Sequence, residues 1–196
     1  MKLLLENILT EDGTYSTDKE LWYRGSHRAN SLDIEDGVKY NTTEQYGPGI
    51  YFTNRYETAL GYGTVGLYKI PVKGFYTTKN RIDIKKIQEI IEYMDDKEAL
   101  SRVLSDWDED YETKPHIAMN LMLKSIKDYC KHMPDALAQI AHDVFHDDAK
   151  EFLMCCRAAN VNGVIINEVS YSYLEEKYLI LYNPKLAKSI ESDLTI

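Results

Sequence analysis

Residues 46–54 read Tyr46-Gly47-Pro48-Gly49-Ile50-Tyr51-Phe52-Thr53-Asn54. Gly-Pro-Gly is turn chemistry. The β-branched and aromatic residues after it predict a strand that begins at once. Such a turn can aim the Tyr51 ring into a cleft. Tyr62, eleven residues further on, follows a helix-length spacer that contains Ala59, and it precedes Gly63. Two tyrosine faces presented this way can sandwich a flat ring. They suit a cationic pyridinium, because stacking and attraction to the ring quadrupole contribute roughly 0.5–2 kcal/mol each. Tyrosines at strand spacing also serve as core aromatics, so this stretch needs support from elsewhere in the chain.

Outward from it lie three zones. Up to about residue 74 the chain is rich in Gly, Tyr and Thr, and strand-like runs fall at 21–24, 49–52 and 65–72. From about 82 to 160 apolar residues recur at helical spacing. One stripe is Ile84, Ile87, Ile90, Ile91 and Met94, and a second is Leu100, Val103, Leu104 and Trp107. A third runs Met119, Met122, Leu123, Ile126, Cys130 and Met133, and a fourth runs Leu137, Ile140, Ala141, Val144 and Phe145. A last helix carries Phe152, Leu153 and Cys156, with Asp147 or Asp148 as its N-cap. Residues 161–196 return to strands. Asn162-Gly163 is a turn signal before a strand at 164–166, and Asn183-Pro184 ends another at 178–182. The order strands, helices, strands predicts an α+β fold, a single domain over 1–196. Its helical zone at about 82–160 is inserted into, or packed on, a mainly antiparallel sheet.

Composition bounds the function. With 196 residues, 44% hydrophobic and 28% charged, the chain suits one globular domain. No apolar run reaches the roughly 18–20 residues of a membrane span. The start, MKLLLENILTEDG, is broken by Glu6 and carries no small-residue cleavage site, so it does not read as a signal peptide. The three cysteines, Cys130, Cys155 and Cys156, form a poor disulfide framework and fit reduced thiols inside a cell. A net charge of −9 disfavours a broad basic surface for nucleic acid, although a local groove remains open. The acidic run Asp106, Asp108, Glu109, Asp110 and Glu112 reads as a solvated loop or helix end.

Two further islands carry chemistry. In Leu21-Trp22-Tyr23-Arg24-Gly25-Ser26 a strand ends in an Arg, a Gly and a hydroxyl. The guanidinium fork can grip phosphate or ribose oxygens. A Gly lets a ligand approach the backbone closely. In Glu175-Glu176-Lys177-Tyr178-Leu179-Ile180-Leu181-Tyr182-Asn183-Pro184, acids at the mouth of an apolar strand place a carboxylate at a cleft rim. The bland readings are a surface Arg with a turn Gly, and a charged loop. Other patterns carry less. His142 and His146 lie one helical turn apart, without a CxxC pair or an HExxH glutamate, so no metal site is expected. Cys155-Cys156 lacks a partner pattern for a nucleophile. Neither a Walker loop nor a Rossmann glycine fingerprint is present.

Together the three islands resemble the ADP-ribosyltransferase superfamily. The likeness is to the catalytic domains of poly(ADP-ribose) polymerases and to small transferase domains of phage polyvalent proteins. Tyr46-Gly47-x-Gly49-Ile50-Tyr51-Phe52, with Ala59 and Tyr62, resembles the segment that carries the nicotinamide-stacking tyrosine. Arg24-Gly25-Ser26 resembles the strand ending in His-Gly-Ser or Arg-Gly, and Gly163–Glu168, Tyr178–Pro184 and Ile190 resemble the phage-type ending. The likeness covers roughly 20–75 and 150–190, and the helical stretch between about 95 and 146 has no counterpart in it.

The resemblance implies a split antiparallel sheet with a helical insertion, and NAD as substrate. Arg24 would contact the NAD phosphates or ribose, Gly25 would hold the nicotinamide amide through its backbone, and Ser26 is the family hydroxyl. Tyr51 and Tyr62 would bracket the nicotinamide. Glu176 would be the catalytic acid, acting with Arg24 and Tyr51. Counting back from Tyr182-Asn183, the polymerase-type acid position falls on Tyr178, on the strand face of Glu176. Glu175 and Glu168 are the alternatives. The implied activity is mono-ADP-ribosyl transfer to a macromolecular acceptor, protein first with nucleic acid open, without a membrane. A phage effector or a toxin acting in the cytoplasm fits, with an antitoxin or host protein as partner. Leu174 stands where the arginine-modifying class has a second acid, so arginine is not the expected acceptor. The rivals are an NAD glycohydrolase and a catalytically silent module that binds NAD or ADP-ribose. An NAD-using enzyme that takes a 2-phosphate from RNA is disfavoured by the charge of −9.

Overall fold

Among the described residues seven short strands, most of them rich in β-branched and aromatic residues, pair into one sheet in the order β4-β5-β6-β2-β1-β3-β7. A computed structural model describes residues 21–26, 47–95, 115–145, 148–169 and 175–190. The strands are β1 (Leu21–Ser26), β2 (Ile50–Thr53), β3 (Thr64–Lys69), β4 (Phe75–Thr77), β5 (Gly163–Val169), β6 (Glu175–Leu181) and β7 (Lys188–Ile190). The helices are α1 (Tyr56–Leu60), α2 (Ile84–Glu92), α3 (Pro115–Tyr129), α4 (Met133–Asp143) and α5 (Ala149–Ala158). The class is α+β, with a mostly antiparallel sheet.

The exception to the antiparallel rule explains the helices. β4 and β5 pair in parallel, Tyr76 opposite Val164. Parallel neighbours need a long crossover, usually helical. Residues 78–162 supply it, so the helical zone is the connection between two adjacent strands. α2 to α5 bury one apolar core against the sheet face that carries Val164, Ile166, Ile180 and Tyr182. The opposite face carries a second, smaller core of Trp22, Ile50, Phe52, Tyr68, Ile70, Leu179 and Leu181. Alternation along β6 sends even-numbered residues to the helices and odd-numbered ones to the second core.

The helix ends follow local chemistry. The Asp83 side chain caps α2 by accepting from Lys86 N–H at 3.1 Å, and Asp148 caps α5 by accepting from Glu151 N–H at 3.0 Å. Asp148 is therefore the cap that the sequence left open between two aspartates. The third apolar stripe does not form one helix. α3 ends at Tyr129, and Met133 opens α4 with Pro134 in its first turn. Proline lacks the N–H that a continuous helix would need there. The second stripe, residues 100–107, lies outside the described residues, as do the acidic run at 106–112, His146 and Leu174.

Candidate active site

The glycine turn, β2 and the start of β6 build the candidate site. Gly47 has φ +80°, a conformation that costs glycine little. A Cβ there would lie 3.4 Å from Ala138 Cα, so the turn rests on α4. The Tyr51 hydroxyl donates to the Gly47 carbonyl at 2.6 Å, which ties the half-buried ring back to its own turn. Its cross-strand neighbour is Ile180.

Two residues along the same face lies Thr53, which is buried. Its hydroxyl accepts from Arg55 N–H at 3.1 Å and donates to Glu176 Oε1 at 3.4 Å. Glu176 is only 7% exposed, and it and Thr53 are the buried polar side chains among the described residues. Asn54 continues the pairing beyond the last residue of β2. Its N–H donates to the Lys177 carbonyl at 3.1 Å, and its Oδ1 accepts from Lys177 N–H at 2.8 Å. Tyr178, half-buried, stands opposite Thr53. In the β5–β6 register Glu168 stands opposite Glu176, and Glu175 opposite Val169.

β1 brings the other candidates. β1 and β3 pair through all six residues of β1, but β1 and β2 pair at one position, Tyr23↔Thr53. Tyr23, Gly25, Thr53 and Glu176 therefore share a face. α1 packs on that face. Tyr23 meets Tyr56 edge-on with ring centroids 5.8 Å apart. A Cβ at Gly25 would lie 1.8 Å from the Ala59 carbonyl oxygen and 2.9 Å from Tyr62 Cβ, so glycine is obligatory under the end of α1. Tyr62 N–H donates to that same Ala59 carbonyl at 3.0 Å, while its side chain remains 61% exposed.

Arg24 and Ser26 alternate to the other face. Arg24 stands opposite Gly66, over which the Tyr68 ring lies. Burial lowers the guanidinium pKa from its usual value, while the Tyr68 hydroxyl, in charge contact and hydrogen-bonded to it, acts the other way. Trp22, on that same face, is 4% exposed and its indole N–H has no hydrogen-bond partner. The structure thus brings Tyr51, Glu176, Gly25 and Tyr62 to one side of the sheet and puts Arg24 and Ser26 on the other.

The described cysteines and His142 offer little chemistry. Burial pushes the Cys130 and Cys155 thiols up to about 11 and that of Cys156 well above its ordinary value. Such thiols are poor nucleophiles. His142 is exposed on α4, its Nδ1 2.8 Å from Asp143 Oδ1. Among the described residues no group of three or more His, Cys, Asp or Glu side chains could hold a metal ion, and no helix is long and apolar enough to cross a membrane.

Thr53 and Asn54 are the site residues that pattern reading passes over. The available signal is a Thr on the same strand face as Tyr51, followed by an Asn where the strand ends. Compared with family models, with curated proteins and with solved structures, the chain matches none.

Proposed function

We propose that this protein binds NAD, cleaves its nicotinamide–ribose bond and moves one ADP-ribose unit to a macromolecular acceptor. One observation carries the reading. A buried carboxylate, Glu176, is held by the Thr53 hydroxyl on the face shared by Tyr51 and by Gly25, which lies beneath the exposed Tyr62. The single β1–β2 pair supports the finer fold reading. It divides the sheet into β4-β5-β6-β2 and β1-β3-β7, as a split ADP-ribosyltransferase-like sheet would be divided.

The chemistry follows from the bond that breaks. The electron pair of the C1–N bond goes to the pyridinium nitrogen, and nicotinamide leaves as a neutral molecule, so no strong general acid is needed. The ribose is left as an oxocarbenium ion. A carboxylate hydrogen-bonded to the 2-hydroxyl stabilises that positive charge, as in glycoside hydrolysis. The acceptor then bonds C1 from the opposite face and gives up its proton. Tyr51 and Tyr62 stack on the nicotinamide and Gly25 holds its amide, whereas Arg24 and Ser26, on the opposite face of β1, stay clear of the reacting ribose and are left to the distal phosphates. On the resemblance, the protein acts in the cytoplasm of the cell that makes it, as a phage effector or a toxin, with an antitoxin or host protein as partner.

A second reading has its own observation. The polymerase-type acid position holds Tyr178, and Glu176 is nearly covered. That favours a silent module that binds NAD without cutting it. Nicotinamide release by the purified protein, with NAD and with or without cell lysate, separates the readings. Release that requires lysate and is lost in Glu176→Gln marks a transferase. Release without lysate marks a glycohydrolase. NAD binding without release across a panel of lysates marks the silent module.

A further inference from the structure

Glu176 lies beyond the end of the β2 ladder, since the last residue of β2, Thr53, pairs with Tyr178. β5 still pairs with β6 at Glu176, through Glu168, but on the β2 side a carboxylate two residues past that pair has no ladder partner. Asn54 supplies the support. Its backbone N–H and its side-chain Oδ1 bracket the carbonyl and the N–H of Lys177, the residue after Glu176. The side chain thus replaces the acceptor that a longer β2 would have offered. With Lys177 fixed, Glu176 is held within reach of the Thr53 hydroxyl, which is itself aimed by Arg55 N–H. Both contacts join segments 123 residues apart in the chain.

We infer that Asn54 is a positioning residue for this displaced carboxylate: it clamps β6 at Lys177 so that Glu176 is presented on the face of Tyr51. The inference rests on the proposed NAD-cleaving reading. It assigns Asn54 no contact with substrate. Its effect passes through the placement of Glu176, and misplacing a reacting group by an ångström costs up to about a hundredfold in rate.

The test compares Asn54→Ala and Asn54→Asp with the wild type, by steady-state nicotinamide release and by hydrogen exchange at the Lys177 amide. Asp keeps the acceptor oxygen and the backbone donor, so it rescues if the clamp matters. The expected result is a fall in kcat of about tenfold to a hundredfold in Asn54→Ala, with KM within about twofold, and faster exchange at Lys177. Asn54→Asp should retain kcat within about threefold, with slow exchange. Unchanged kcat in Asn54→Ala, with faster exchange at Lys177, overturns the inference, because the clamp is then only a strand fastener. A parallel loss in Asn54→Asp also overturns it. Should Asn54→Ala fail to fold, Asn54→Ser, which shortens the side chain without emptying the position, takes its place under the same criteria. A wild type that binds NAD but releases no nicotinamide overturns the enzymatic reading and Asn54's role in it together. Wild-type release with an indifferent Asn54 overturns the role alone.

Discussion

Arg24 and Glu176 lie on opposite faces of the same sheet, and that separation gives them different kinetic signatures. Glu176 shares its face with Tyr51 and Gly25; on the proposed reading the reacting ribose sits there, and the carboxylate's charge matters most as the bond breaks. Glu176→Gln keeps the volume and removes the charge. It should lower kcat by about a hundredfold to a thousandfold while leaving KM close to wild type. Arg24 is held beside Tyr68 on the opposite face, and on the proposed reading it acts on a part of NAD remote from the reacting carbon. Arg24→Ala should therefore raise KM more than it lowers kcat. Steady-state nicotinamide release against NAD concentration measures both, and equal losses of kcat in the two variants would contradict the two-face arrangement. Thr53 belongs with Glu176. Thr53→Val removes the 3.4 Å hydrogen bond without changing shape and should cost up to about tenfold in kcat, whereas Thr53→Ser should keep most of it.

At the scale of elements, α1 is the piece whose position depends on one missing side chain. Gly25→Ala would drive a methyl into the Ala59 carbonyl, a contact of 1.8 Å that backbone must relieve. The variant should melt earlier, and its Tyr62 should be displaced, read as a loss of NAD binding larger than the loss of stability. The caps give a milder, separable effect. Asp83→Ala and Asp148→Ala should each cost about 1 kcal/mol in urea unfolding with kcat unchanged, because each removes a hydrogen bond confined to the start of its own helix. The longer elements were legible in the sequence because their signals are local. The Gly-Pro-Gly turn, the Ile50–Phe52 run and the apolar stripes of α2, α4 and α5 each announce themselves within a few residues. β4 and β7 were not legible, since each is three residues long and exists through pairing with β5 or β3. The stripe that joined α3 to Met133 misled because apolar spacing survives the break, and Pro134 was the overlooked signal. In the site, the same locality rule holds. Tyr51 and Glu176 are marked by their own neighbours. Thr53 and Asn54 gain their roles from the β2–β6 register, which no local pattern reveals. The face taken by Arg24 depends likewise on which strand β1 pairs with.

Across the whole molecule, the sheet separates two apolar cores, and the larger one holds groups that resist ionisation. Cys155, Cys156 and Tyr182 are buried in it, and Cys130 packs against it. Burial raises all four: the Cys130 and Cys155 thiols go to about 11, and the Cys156 thiol and the Tyr182 phenol move well above their ordinary values. The direction of the linkage follows. At a pH between the ordinary thiol value of 9.0 and about 11, the unfolded chain has released protons that the folded chain retains. The unfolded state then binds fewer protons, so stability falls as pH rises. Below that window both states keep their thiol protons, and these groups contribute no pH dependence. The urea midpoint should therefore show no thiol-linked change between pH 7 and about 8.5 and should fall steadily from pH 9 to 11. Thiol labelling offers an independent check. A thiol at about 11 is ionised to roughly one part in a thousand at pH 8, so Cys130 and Cys155 should react far more slowly in the native protein than in urea. Rapid native labelling at Cys155, or a urea midpoint that rises through pH 9 to 11, would show that α5 does not keep its thiols in the core and that the crossover packs on the sheet in some other way.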